Sequence, residues 1–195
     1  MTGVVEFFFD FGSPTVYLAA TQLPSIAEQA GATIDWRPML LGGVFKATGN
    51  QSPVMVPAKG TYMGADLARF ATRYGVPYKR NPFFPVNTLA LMRGAVAYRA
   101  SDRFKAYRDA IFRAMWVEPC NLNEPEIIGK VLTDAGFDSG DFMARIAEQS
   151  VKDELKANTE EAVERGAFGA PTFFVDGQMF FGQDRLDFVA EALDA

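Results

Sequence analysis

The stretch Phe9-Asp10-Phe11-Gly12-Ser13-Pro14-Thr15-Val16-Tyr17 decides how the fold of this chain is predicted. Its first residue, Phe9, ends an apolar run that begins at Val4 and predicts a strand. Its last residues begin the run from Val16 to Ala20, which predicts the first turns of a helix. The glycine turn puts Ser13 at the N-cap and Pro14 at the first helical position. The positive end of the helix dipole lies there, so the site favours an anion, although most Ser-Pro helix starts only cap their helix. The stretch alone leaves both interpretations open.

Composition limits the classes of protein to which the chain can belong. Its 195 residues are 49% hydrophobic, enough to bury a full core as one domain, with or without an insertion. The formal net charge of −5 argues against a nucleic-acid partner, because phosphates call for a basic surface. We find no signal peptide and no bilayer-spanning stretch, so we expect a cytoplasmic protein with no membrane partner.

The cysteine and histidine content restricts the chemistry further. Cys120 is the single cysteine, which excludes an intramolecular disulfide, and we assign it no role. The chain has no histidine, which removes the Ser-His-Asp and Cys-His arrangements and every histidine-based metal site. We therefore predict no metal. An enzyme with this composition takes its nucleophile from a cofactor, or from Lys, Tyr or a carboxylate.

The first part of the chain has the pattern of a βαβ unit. The helix after Ser13 extends towards Gly31, and Pro24 is expected to kink or break it. Thr33 to Arg37 alternates with period two and predicts a second strand, parallel to the first. Residues Met39 to Ala58 are rich in glycine and proline and predict a loop with at most one short helical turn.

The rest of the chain is first helical and then returns to strands. Helical patterns occur over Tyr62–Tyr74, Asn87–Arg99, from Asp102 onward, over Asn123–Thr133 and from Ser150, where Asp153 completes a capping-box-like spacing. Two apolar runs around Asp176-Gly177 predict a hairpin, and a terminal helix follows from Gln183-Asp184.

A βαβ unit, a helical insertion and a ββα unit together resemble the thioredoxin-like fold of DsbA-type thiol-disulfide oxidoreductases. This resemblance implies an α/β fold, with a discontinuous thioredoxin-like domain at 1–58 and 167–195 and an inserted helical domain at 59–166. The DsbA type carries Cys-x-x-Cys where this chain has Ser13-Pro14-Thr15-Val16. Disulfide exchange needs a protein thiolate, so that chemistry is excluded.

With a serine in place of the first cysteine, the chain resembles the kappa-class glutathione transferases and, more closely, the 2-hydroxychromene-2-carboxylate isomerases. The resemblance covers essentially the whole chain, and its motifs occur in the expected order. They are Phe9–Pro14, Arg37-Pro38 leading to Thr48-Gly49-Asn50, Phe84–Leu89, Gly169–Phe173 and Phe181–Arg185.

The resemblance implies that glutathione is the cofactor. Ser13 would donate a hydrogen bond to the glutathione sulfur and stabilise the thiolate. The backbone of Ala170, ahead of a cis Pro171, would pair with the glutathione peptide. Gln183 and Asp184 would bind the γ-glutamyl end, although Asp184 is also a plausible helix cap. Asn50 would reach the glycyl end or the backbone of the tripeptide, although an asparagine in a loop more commonly holds a left-handed turn.

The implied reaction interconverts 2-hydroxychromene-2-carboxylate and trans-o-hydroxybenzylidenepyruvate during aromatic-compound degradation. The glutathione sulfur would add to the conjugated system, which permits rotation, and would then be expelled. An aromatic carboxylate substrate needs an apolar slot and a cation. Aromatic residues from Tyr78 to Phe84 and around Trp116 are candidates for the slot, and core packing also explains them. The polar and aromatic candidates are Lys59, Tyr62, Arg80, Phe84 and Asn87, of which Asn87 also fits a helix cap.

Two other functions stay open. A kappa-type transferase that conjugates glutathione to electrophiles would share Ser13, Pro171 and Asp184. A thioredoxin-like module that has lost the Cys-x-x-Cys cysteines and binds a peptide would need none of the residues that match the glutathione site. The family also implies a homodimer.

Overall fold

The computed structural model describes residues 3–194, which build a four-stranded sheet and nine helices. The sheet has the order β2-β1-β3-β4. Its strands are β1 (Val4–Phe9), β2 (Thr33–Pro38), β3 (Thr172–Val175) and β4 (Gln178–Phe181). The helices are α1 (Pro14–Gln29), α2 (Leu41–Thr48), α3 (Pro57–Tyr74), α4 (Leu89–Arg99), α5 (Phe104–Trp116), α6 (Pro125–Asp134), α7 (Ser139–Ala147), α8 (Gln149–Glu164) and α9 (Leu186–Leu193).

The sheet topology confirms the predicted fold class. β1 pairs with β2 in parallel, as the predicted βαβ unit requires, and with β3 antiparallel. The turn between β3 and β4 has Asp176 at φ 47° and Gly177 at φ 79°. Positive φ at both central residues is typical of the tight hairpin turn that the sequence predicts. Helices α3 to α8 lie between β2 and β3 along the chain, and the division into 1–58, 59–166 and 167–195 stays a prediction.

The core is dominated by aromatic side chains from the central strand. The Phe7 ring stacks on Phe173 with centroids 4.9 Å apart, and Phe9 meets Trp36 edge-on at 5.5 Å. Phe11, just beyond the strand, packs against Phe112 of α5 at 4.8 Å. These contacts fix the position of the turn that follows β1.

Two expectations for the first 60 residues are wrong. The expected break at Pro24 is wrong, because α1 continues through it with Leu23 and Ala27 buried on either side, whereas the expected kink stays a prediction. Residues Met39 to Ala58 are largely helical: they contain α2, a 3-10 turn at Pro53–Met55 and the start of α3.

The capping predictions in the helical part have mixed outcomes. Asn87 caps α4, since its Oδ1 accepts from Leu89 N at 3.1 Å. Asp102 does not cap α5, which begins without a side-chain cap. The capping box at Ser150 and Asp153 is also wrong: α8 begins at Gln149 without a side-chain cap, and Asp153 accepts from the Gln149 side chain. Helix α7 is absent from the sequence prediction.

Within residues 3–194, no helix has the length and apolar character needed to cross a membrane.

Candidate active site

A cavity of about 720 Å³ opens where the β1–α1 turn meets four other parts of the chain. Its wall is formed by the turn itself, by α2 and the loop after it, by α3, by the segment from Tyr78 to Thr88, and by the loops that flank β3 and β4. The predicted site residues Ser13, Asn50, Lys59, Phe84, Ala170, Gln183 and Asp184 all line it.

Ser13 caps α1 and also faces this cavity. Its side chain is 6% exposed, and its Oγ accepts from Val16 N at 3.3 Å. The same Oγ lies 2.8 Å from Thr15 Oγ1 and 3.3 Å from the Ala170 carbonyl oxygen. Thr15 Oγ1 donates to that carbonyl at 3.2 Å. The sequence prediction missed Thr15, because its partner Ala170 is distant along the chain.

Asp10 is a buried carboxylate in the cavity wall that the sequence prediction also missed. It is 1% exposed. Its Oδ1 accepts from Gly12 N at 2.9 Å and its Oδ2 from Leu41 N at 2.8 Å. Burial raises the pKa of Asp10, and these two backbone donors oppose that effect. An acidic residue at the end of an apolar strand, directly before the Gly-Ser turn, was the available signal.

Ala170 and Pro171 are joined by a cis peptide bond, as the resemblance implies. Ala170 lies in the cavity wall with its carbonyl towards Ser13 and Thr15, whereas Pro171 is buried behind it. Gly169 precedes them, and a Cβ at this position would come within 2.9 Å of the Phe181 ring. The backbone therefore runs close to β4 here.

Gln183 and Asp184 form the 3-10 turn that leads into α9. Gln183 is 7% exposed, and its backbone carbonyl accepts from the Tyr74 hydroxyl at 3.0 Å. Asp184 is exposed, and its Oδ2 lies 2.6 Å from Arg185 Nη1. Gly182 before them has φ 101°, and a Cβ there would lie 2.5 Å from Asp184 Oδ1. This turn therefore requires glycine.

The Asn50 side chain is exposed and holds the loop after α2 against the segment before Ala170. Its Nδ2 donates to the Phe168 carbonyl at 2.8 Å, and its Oδ1 accepts from Gln51 N at 2.8 Å. The predicted left-handed turn lies one residue earlier, at Gly49 with φ 70°.

The predicted substrate residues divide into two groups. Lys59 and Phe84 line the cavity, together with Arg80, Tyr78 and Trp116.

Tyr62 and Asn87 lie outside the cavity wall. Helix α3 turns Lys59, Met63 and Leu67 towards the cavity at spacings of four, which leaves Tyr62 63% exposed on another face. Asn87 is exposed and serves as the cap of α4.

The aromatic part of the cavity wall is held by the core. Trp116 is 1% exposed, and its Nε1 donates to the Phe11 carbonyl at 2.8 Å. Tyr78 stacks on Trp116 with ring centroids 6.3 Å apart, and burial raises the pKa of the Tyr78 hydroxyl. Phe84 approaches the same indole at 6.2 Å and is followed by a cis Pro85.

The described residues contain no group of three or more His, Cys, Asp or Glu side chains that could hold a metal ion.

Comparisons with known proteins agree with this architecture. The family model of the DSBA-like thioredoxin domain matches residues 4–194. A 2-hydroxychromene-2-carboxylate isomerase of Sphingobium xenophagum is 34% identical over 199 residues, which cover 99% of each chain. Glutathione S-transferase kappa 1 of Homo sapiens is 30% identical, over 97% of this chain and 90% of the relative.

A solved structure shows the same likeness in three dimensions. A selenomethionine 2-hydroxychromene-2-carboxylate isomerase superposes with a TM-score of 0.87 at 30% identity, over 97% of this chain and 94% of the other. The chain therefore belongs to the DSBA-like thioredoxin domain family, in the group of the 2-hydroxychromene-2-carboxylate isomerases and kappa-class glutathione transferases.

Proposed function

We propose that this protein is a glutathione-dependent isomerase that interconverts 2-hydroxychromene-2-carboxylate and trans-o-hydroxybenzylidenepyruvate in aromatic-compound degradation. One observation carries the proposal. The Ser13 hydroxyl caps α1 at the cavity wall, beside the Ala170 carbonyl that precedes a cis proline. The names of the similar isomerases support an isomerisation of 2-hydroxychromene-2-carboxylate.

The residues around the cavity fit glutathione. The Ser13 hydroxyl offers one donor to a sulfur at the positive end of α1, where a negative charge is favoured. The backbone of Ala170 is available to a peptide that lies along it, and the Asp184 carboxylate suits the γ-glutamyl ammonium. Bound glutathione would supply the sulfur nucleophile, since Cys120, the single cysteine of the chain, is not among the residues that line the cavity.

Another part of the cavity wall fits an aromatic carboxylate. Tyr78, Phe84 and Trp116 form an apolar wall, and Lys59 and Arg80 are the two cations among the lining residues. A flat aromatic ring packs against the wall while its carboxylate pairs with a cation near the opening. Two exposed cations also attract an anionic substrate into the cavity.

A kappa-type transferase is the second candidate, and the human kappa relative at 30% identity favours it. It would use the same Ser13, Ala170 and Asp184 positions and would differ in the acceptor. A peptide-binding module is the third candidate, and it predicts no affinity for glutathione.

Calorimetric titration with reduced glutathione tests the proposal. We would titrate at two pH values and in two buffers that differ in ionisation enthalpy, with S-methylglutathione as the thiol-free control. We expect binding with proton release for glutathione and without it for the control. No binding at millimolar glutathione would overturn both enzyme functions and favour the peptide-binding module.

The acceptor is then tested by turnover. We expect glutathione-dependent interconversion of hydroxychromene-carboxylate, with no net consumption of glutathione. Conjugation of a general electrophile such as 1-chloro-2,4-dinitrobenzene, without isomerisation, would identify the transferase instead.

A further inference from the structure

Two hydroxyl groups, those of Ser13 and Thr15, lie beside the position proposed for the glutathione sulfur. Ser13 Oγ and Thr15 Oγ1 are 2.8 Å apart, and both lie within 3.3 Å of the same Ala170 carbonyl oxygen. Thr15 lines the cavity beside Ser13. The proposed function uses only the Ser13 hydroxyl, so the second hydroxyl has no assigned role.

The protons and lone pairs of the two hydroxyls limit the hydrogen bonds that they can form. Each hydroxyl has one proton to donate and two lone pairs that accept. The Val16 N–H already occupies one lone pair of Ser13 Oγ. In the structure Thr15 donates to Ala170, and the Ser13 proton has two acceptors, Thr15 Oγ1 and the Ala170 oxygen. The Ser13 proton must leave those acceptors to reach a sulfur.

We propose that Thr15 is a positioning residue that directs the Ser13 proton to the thiolate. When the Ser13 proton turns to the sulfur, the Thr15 proton turns from Ala170 to the second lone pair of Ser13 Oγ. Ser13 Oγ then accepts from both Val16 N and Thr15 Oγ1 while it donates to the thiolate. A hydroxyl that accepts two hydrogen bonds is a stronger donor, because hydrogen bonds in a chain polarise one another.

The Ala170 carbonyl couples this change to ligand binding. A peptide that pairs with the backbone of Ala170 brings an N–H to its carbonyl oxygen, and that N–H replaces the Thr15 proton there. The rearrangement therefore loses no hydrogen bond: Ala170 keeps a donor, and Thr15 gains Ser13 as its acceptor. This inference rests on the proposed function, since it requires glutathione to bind along Ala170.

The alternative is that Thr15 only fastens α1 to the segment before β3 through its bond to Ala170. That role predicts lower thermal stability and weaker glutathione binding without Thr15, with no change in the pKa of the bound thiol. The pKa of the bound thiol therefore separates the two roles.

The experiment measures the ultraviolet absorbance of the bound thiolate as a function of pH. The variants are Thr15→Val, Thr15→Ser, Ser13→Ala and the Ser13→Ala/Thr15→Val double variant. Thr15→Val keeps the side-chain shape and removes the hydroxyl, and Thr15→Ser restores it. The pH dependence of kcat/KM supplies the same pKa by a second route, should a variant bind glutathione too weakly for the titration.

We expect Thr15→Val to raise the pKa of the bound thiol by about half a unit to one unit, since the effect passes through one neighbouring hydrogen bond. Thr15→Ser should return it to the wild-type value. In the Ser13→Ala background, Thr15→Val should have no further effect. An unchanged thiol pKa in Thr15→Val, or an equal rise in both backgrounds, would overturn the positioning role while the proposed function stands. A wild-type protein that forms no thiolate would overturn both.

Discussion

The Ser13 hydroxyl caps α1 through one of its lone pairs, and in the proposed function it donates its single proton to the thiolate. It accepts from the Val16 N–H, which satisfies one of the unpaired donors at the start of α1. Its own proton has Thr15 Oγ1 and the Ala170 oxygen as acceptors in the structure, and in the proposed function it turns to the thiolate. The two contributions can therefore be measured separately in one variant.

Ser13→Ala should cost little stability and much activity. Loss of the cap should lower the free energy of unfolding by about 1 kcal/mol, as measured by chemical denaturation. Loss of the proton that meets the thiolate should lower kcat/KM for the glutathione-dependent reaction by about 10²- to 10³-fold, the usual effect of removing one donor to a developing anion.

The control is Ser25→Ala, on the exposed face of the same helix. Its kinetics should match those of the wild type. Full glutathione-dependent activity in Ser13→Ala would contradict the assignment of this hydroxyl to the thiolate.

At the scale of elements, helix α2 illustrates where sequence reasoning succeeds and fails. Its first turn contains Gly42 and Gly43, which disfavour a helix, and Leu40 at its N-cap provides no side-chain cap. The cap comes from Asp10, whose Oδ2 accepts from Leu41 N at 2.8 Å. The sequence around α2 contains no sign of a cap that comes from the turn after β1, so a loop was predicted where a helix forms.

Elements with local signals were predicted well. The alternation in β2, the hairpin at Asp176-Gly177 and the Ser-Pro start of α1 each encode their own geometry, and all three are present. In the candidate site, too, only residues with a local signal could be predicted. The Ser-Pro motif predicts the position of Ser13, whereas Thr15 meets its partner Ala170 only when β3 joins the sheet.

Asp10→Ala should loosen α2. It leaves two partly buried backbone N–H groups, those of Gly12 and Leu41, without their acceptor, so we expect a loss of about 1–3 kcal/mol in the free energy of unfolding. Hydrogen exchange should accelerate across Leu41–Thr48, because the helix loses its cap. Asp10→Asn should not rescue the loss, because its amide turns a donor towards one of those N–H groups.

Asp138→Ala is the matched control. It removes a cap of the same chemical kind from α7, where Asp138 Oδ1 accepts from Asp141 N at 2.7 Å. Exchange should then accelerate in α7 and stay unchanged in α2. Unchanged protection of α2 in Asp10→Ala would refute the capping role of Asp10.

At the scale of the whole molecule, charged pairs fasten the end of α8 to the sheet. Arg165, just after α8, bonds both carboxylate oxygens of Glu6 on β1, at 2.6 and 2.8 Å. Its guanidinium also lies 3.8 Å from the centroid of the Phe174 ring on β3. Arg37 on β2 pairs with Glu161 of α8. The sheet and the last helix before β3 are thus joined on the face opposite the main aromatic core.

This contact makes stability depend on pH in a defined direction. The Arg165 guanidinium holds the pKa of Glu6 below its usual value. A carboxyl with a lowered native pKa contributes stability above its unfolded pKa and loses it as the pH falls through the native pKa. Glu6→Gln should therefore cost about 1 kcal/mol at neutral pH, a modest value because both side chains are partly exposed. The difference should shrink as the pH falls below the unfolded pKa of a glutamate, about 4.3, and disappear below the lowered native pKa of Glu6.

Glu118→Gln provides the comparison. Glu118 pairs with Arg113 on the surface, where both side chains are more than half exposed, so its loss should leave the denaturation midpoint nearly unchanged. A pH-independent difference between wild type and Glu6→Gln would show that the ionised pair is not the source of the stability.

Ser13 and Thr15 lie 157 and 155 positions before Ala170, whose carbonyl both hydroxyls approach, and this separation has a consequence for synthesis. On the ribosome, Ser13 emerges long before Ala170, so in the proposed function a nascent chain would carry only half of the thiol-binding centre. Affinity for glutathione would then arise only when β3 has taken its place beside β1. Cellular glutathione would then add its binding free energy only to finished molecules, and it would leave incomplete chains to the proteases.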